Sequence, residues 1–111
     1  MSRWLVAFLF TQAVEVPVYA AALRGRPWGQ RLALGFLPSA VTHPVVWFSS
    51  PLLKPHLGWW GYVLVVEAFA VLAEAALLKK SGLEDPLLWA LFANGLSLGL
   101  GLTFRQLFGW P

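Results

Sequence analysis

The sequence predicts an all-α, polytopic membrane protein with four transmembrane helices in a compact antiparallel bundle, and three observations lead there. Of 111 residues, 59% are hydrophobic and only 12% charged, against roughly 25% charged in a soluble domain. The apolar residues form four uninterrupted runs, each near the length of about 17 to 25 residues that a bilayer crossing needs. The connections between the runs are short, so consecutive helices are expected to be antiparallel neighbours within one domain covering residues 1–111.

The first run spans residues 4–23 and ends at Arg24-Gly25-Arg26-Pro27, where charge, glycine and proline halt both insertion and helix. The second, 32–50, ends before Pro51 and the polar Lys54-Pro55-His56, read as a loop. The third, 59–78, stops at Lys79-Lys80-Ser81-Gly82. The fourth, 87–108, follows Glu84-Asp85-Pro86, two acids and a proline that suit a helix start. None of the runs alternates with period two, which excludes a β-barrel, so each must satisfy its backbone as a helix. Trp4, Trp28, Trp47, Trp59, Trp60, Trp89 and Trp110 fall mostly near helix ends, as an interfacial aromatic belt requires.

A mean hydropathy of +0.67 rules out disorder, and the absence of Cys removes disulfides, thiolate metal sites and thiol nucleophiles. A cleavable signal peptide over the first run is disfavoured by the run's length and by Glu15 and Pro17 within it. Arg24, Arg26, Arg31, Lys79 and Lys80 flank one end of the runs and Arg3, Lys54 and Arg105 the other. That bias predicts both termini outside the cytoplasm, the chain being expected in a bacterial inner membrane. The net charge of +3 is accounted for by orientation, so nucleic acid is not an expected partner.

Ionisable side chains in the hydrocarbon cost roughly 2.5 to 3.5 kcal/mol each, so each needs a reason. Glu15, His43, Glu67 and Asn94 lie near the middle of the four runs, one in each. Helical spacing aligns Gln12, Glu15 and Tyr19 on one face, Ser39, His43, Trp47 and Ser50 on a second, Glu67 and Glu74 on a third, and Asn94, Ser97 and Gly101 on a fourth. These faces are expected to converge on the interior. Pro17, Pro38 and Pro44 each free a carbonyl, and Pro44 predicts a kink beside His43 unless Thr42 serves the freed group.

Three carboxylates within the runs face one imidazole, with no Lys or Arg well inside. Either protons or a bound cation must neutralise them. The expected site is therefore Glu15, His43, Glu67 and Asn94, binding a proton or divalent cation for transport. Glu74 lines its approach, with Thr42, Ser97, Tyr19 and Trp47 in support. A divalent metal would take His43, Glu15 and Glu67 as ligands. Interhelical hydrogen bonding by the same groups is the competing explanation.

Motifs of hydrolases, metalloproteases and phosphate-binding loops are missing, so the signatures weigh against an enzyme. Two other functions fit the composition: a structural or assembly subunit of a larger membrane complex, and an intramembrane metal-dependent hydrolase built on His43. Gly95, Gly99 and Gly101 form a small-residue face that would pack within the monomer or make a homodimer.

Val14-Glu15-Val16, with the chain's length, is similar to the small multidrug resistance transporters, and this implies a proton- and cation-binding role for Glu15. The combination of Glu15-Val16-Pro17, Thr42-His43-Pro44-Val45-Val46-Trp47, Glu67 with Glu74, and Asn94-Gly95-Leu96-Ser97 more fully resembles small uncharacterised bacterial four-helix integral membrane proteins. That second likeness implies one constellation of residues and no particular activity.

Overall fold

In the computed structural model, which describes residues 2–109, the chain forms three helices: α1 (Arg3–Ala22), α2 (Trp28–Lys80) and α3 (Pro86–Phe108). The expectation of four helices is therefore corrected. Residues 32–50 and 59–78 belong to one helical element, and the Pro51-to-His56 segment read as a loop is helical. Lys54 is compatible with helix there because its ammonium rests over the rings of Trp59 and Tyr62, 5.2 and 5.0 Å from their centroids.

A straight helix of 53 residues would be about 80 Å long, yet the longest dimension of the fold is 42 Å. α2 doubles back, and it does so at one residue. Gly58 has φ 70° and ψ 177°, the one departure from helical geometry inside α2, in a region of backbone space that costs a side chain steric strain. The two limbs then lie side by side, and the Tyr62 hydroxyl donates to the Val46 carbonyl at 3.1 Å. Pro38 and Pro44 leave the backbone in helical dihedrals, so the break expected at His43 falls instead at Gly58.

The other boundaries follow local chemistry. Ser2 caps α1 by accepting from the Leu5 amide at 3.2 Å. Pro86 opens α3, where its missing amide costs nothing, and Gly109 closes it in a left-handed conformation with its amide on the Arg105 carbonyl. Trp110 lies outside the described residues.

Polarity is arranged inside out. Glu15, Ser39 and Glu74 are each 1% exposed, whereas Leu52, Leu64 and Leu107 are about 70% exposed. All three helices are long and apolar enough to cross a membrane. Tyr19, Leu78 and Ala93, one from each helix, form a fully buried cluster. α1 and α2 are in close contact at Gly35, where a β-carbon would stand 3.4 Å from both the Tyr19 side chain and the Val16 carbonyl. The face of Gly95 and Gly99 meets nothing within 4 Å and takes no part in packing inside the monomer.

Candidate functional site

Glu15 projects from α1 into the interior, where two hydroxyls meet it: Ser39 of α2 at 2.6 Å on Oε1 and Ser97 of α3 at 2.7 Å on Oε2. Glu74, on the second limb of α2, receives three donors. Tyr19 Oη donates to Oε1 at 2.7 Å, Asn94 Nδ2 to the same oxygen at 3.2 Å, and Thr42 Oγ1 to Oε2 at 2.8 Å. The two carboxyls are linked through α3, where Asn94 donates to Glu74 and Ser97, itself bonded to the Asn94 carbonyl, donates to Glu15. All three helices contribute, and every one of these donors is neutral.

The local sequence explains the convergence. Glu15 and Tyr19 are four apart on α1, and Ser39 and Thr42 three apart on α2, spacings that place each pair on one helical face. Asn94 and Ser97 repeat the three-residue spacing on α3. Asn94 is oriented by a second bond from Nδ2 to the Ala90 carbonyl at 2.9 Å, and Ser97 makes a second contact with the Asn94 carbonyl at 3.1 Å. Gln12, one turn before Glu15, ties α1 to α2 through the Phe36 carbonyl at 3.1 Å.

The expected membership is rearranged. Glu74, assigned to the approach, occupies the buried centre. Glu67, assigned to the centre, is half-buried and lines a separate cavity of about 480 Å³. Its backbone position is two helical turns from Glu74, about 10 Å along the axis. Thr42 serves Glu74 instead of a proline-freed carbonyl.

His43 also lines the cavity, but its ring sits among aromatics: 5.5 Å from Phe8, 6.2 Å from Trp4, and stacked on Trp47 at 6.1 Å. Its Nδ1 is buried without a hydrogen-bond partner. His43 is thus not joined to the carboxyl pair. Among the described residues no three His, Asp or Glu side chains are grouped to hold a metal, so the ligand set His43, Glu15 and Glu67 does not assemble. The reason is rotational. His43 is one residue on from Thr42, and that step of about 100° carries it off the face that meets Glu74.

Ser97 links the two regions, since it both lines the cavity and donates to Glu15. Ser39 is a direct partner of Glu15 missing from the expected site. Its signal in the sequence is the i,i+3 spacing with Thr42, two small hydroxyls in an otherwise apolar stretch. Arg3, Lys54 and Arg105, grouped in the sequence only as flanking charges, line the same cavity.

No protein-family model, no curated protein and no solved structure matches the chain. The chemistry open to the site follows from its geometry. Two carboxyls held together among hydroxyl and amide donors can keep a proton between them and exchange it through a wet neighbour.

Proposed function

We propose that the protein spans a membrane and that its Glu15 and Glu74 carboxyls form a proton-binding site used in transport. The cavity beyond Ser97 is the route by which that site meets water. The observation that carries the reading is the pairing itself: two acids from different helices share one buried pocket without a basic group among their hydrogen-bond partners. Two negative charges so placed repel each other and are poorly solvated, whereas one shared proton removes most of that cost and leaves the donors satisfied. The exposed apolar exterior supports the membrane location.

A proton is favoured over a divalent metal because, among the described residues, no third His, Asp or Glu joins the two carboxyls. Glu67, half-buried in the cavity wall two turns away, would serve as a relay between the cavity and the pair.

The test uses purified protein in two formats. Infrared difference spectra across a pH change should contain a protonated-carboxyl band in the wild type that is lost in both Glu15→Gln and Glu74→Gln. In proteoliposomes carrying a trapped pH dye, an imposed proton gradient should dissipate at least tenfold more slowly with either variant, and measurably more slowly with Glu67→Gln. A band and a flux unchanged in Glu74→Gln would refute the proposal.

A further inference from the structure

The two ends of the bundle handle basic residues differently. At the end formed by the α1 to α2 connection and the start of α3, two of the arginines are held by protein groups and acids lie beside them. Arg26 bonds the Gln30 side chain and the Ser81 carbonyl, and Arg31 donates to the Ala20 carbonyl at 2.8 Å while stacking 3.7 Å over Trp28. Glu84 and Asp85 share a surface cleft with Arg24 and Arg26 there. At the opposite end Arg3, Lys54 and Arg105, one from each helix, line the mouth of the 480 Å³ cavity. None of these three side chains donates a hydrogen bond among the described residues. Lys54 and Arg105 are both drawn over the indole of Trp59, 5.2 and 4.7 Å from its centroid.

Two cations on one ring repel each other, and a third on the same cavity adds to the repulsion. The cavity contains one acid, Glu67, and it sits about 12 Å deeper than Trp59 along the second limb of α2. The rim thus holds uncompensated positive charge at the edge of an aromatic-walled space, the arrangement that binds an anion with an organic body attached. An arginine fork beside a lysine point charge matches the several oxygens of a phosphate better than the two of a carboxylate.

We propose that Arg3, Lys54 and Arg105 form a binding site for a phosphate-monoester group whose organic body packs against Trp59 and Tyr62 in the cavity. The carrier is either a lipid or a soluble organic phosphate. A lipid would enter from the bilayer side with its headgroup at the rim, and 480 Å³ suits a headgroup and the first part of a chain. The site is independent of the proton pair: Glu74→Gln should leave it unchanged.

Native mass spectrometry of the protein released from detergent tests this directly. The probes are dioleoyl phosphatidic acid, dioleoyl phosphatidylcholine, glycerol 3-phosphate and inorganic phosphate. The wild type should retain phosphatidic acid at least tenfold more strongly than phosphatidylcholine. Arg105→Gln and Lys54→Gln should each lose that preference, while Lys79→Gln, at the other end, keeps it. Arg3→Gln and Lys54→Gln, altering exposed side chains, give the answer if Arg105→Gln does not fold. Competition by glycerol 3-phosphate at equal concentration would support the site with a soluble carrier, and its failure to compete would support a lipid. Equal loss in Lys79→Gln, or no preference in the wild type, would overturn the proposal.

Discussion

The Ser97 hydroxyl donates to Glu15 Oε2 at 2.7 Å while the same residue forms part of the cavity wall, so one small side chain touches both the buried acid pair and the space that contains Glu67. Movement of that hydroxyl by a single rotamer would open Glu15 to the cavity. In a packed interior such a change is discrete, so under the proposed proton transport Ser97 would act as the gate to the pair. Ser97→Ala should therefore speed dissipation of a proton gradient in proteoliposomes relative to wild type, and Ser97→Val, which fills the gap with carbon, should slow it severalfold. The same rate in both variants would place the access route elsewhere.

The hydrogen bonds around Glu74 should be measurable as stability. Tyr19 is fully buried and its hydroxyl has one acceptor, Glu74 Oε1. Tyr19→Phe should cost about 1–2 kcal/mol, the range for a buried bond to a carboxyl tempered by the smaller values seen in membranes. Thr103→Val removes a hydroxyl bonded only to its own helix at an exposed position, and should change stability by less than about 0.5 kcal/mol. Denaturant titration in mixed micelles, followed by far-ultraviolet circular dichroism, compares them.

Packing at Gly35 offers a separate check on the placement of α1 against α2. A β-carbon there touches Tyr19 and the Val16 carbonyl at 3.4 Å, whereas one at Gly95 meets nothing within 4 Å. Gly35→Val should destabilise by about 1–3 kcal/mol as the helices are forced apart, and Gly95→Val should be near neutral in the same titration. Equal costs at the two positions would show that α1 packs on α2 differently.

The reversal of α2 rests on the backbone of Gly58. Space is not the constraint, because a β-carbon at this position would meet no atom within 4 Å, but φ 70° with ψ 177° is. Gly58→Ala should cost about 1–3 kcal/mol, and Gly99→Ala, at a helical position where a β-carbon meets nothing within 4 Å, should cost less. Unfolding midpoints of the two variants decide the matter.

His43 is the residue on which the sequence and the fold differ most in consequence. Its ring lies among Trp4, Phe8 and Trp47 with Nδ1 unpartnered, so His43→Phe should keep or slightly raise stability. The variant should also retain proton flux, and chelator treatment of the wild type should change neither property. Stoichiometric zinc or manganese in the purified protein, lost in His43→Phe, would return the imidazole to a metal site.

Much of this was legible in the chain itself. Hydropathy and length marked the apolar runs that are helical, the Arg24-to-Pro27 and Glu84-to-Pro86 boundaries agree with the observed ends of α1 and α3, and helical periodicity put Glu15 with Tyr19 and Asn94 with Ser97 on common faces. Polar residues in the Pro51-to-His56 segment concealed a helix, because hydropathy cannot register a lysine that shelters its charge on Trp59 and Tyr62.

By itself, then, the amino-acid order determined that the apolar runs are helical, which face of each run is polar, and that acids would need neutral or cationic company inside. Tertiary packing decided which acids meet. Periodicity sets directions around a single axis, but the rotation and vertical offset of one helix against another depend on side chains from both. At Gly35 and Tyr19 those contacts bring Glu74 to Glu15 and leave Glu67, two turns away on the same face, lining the cavity.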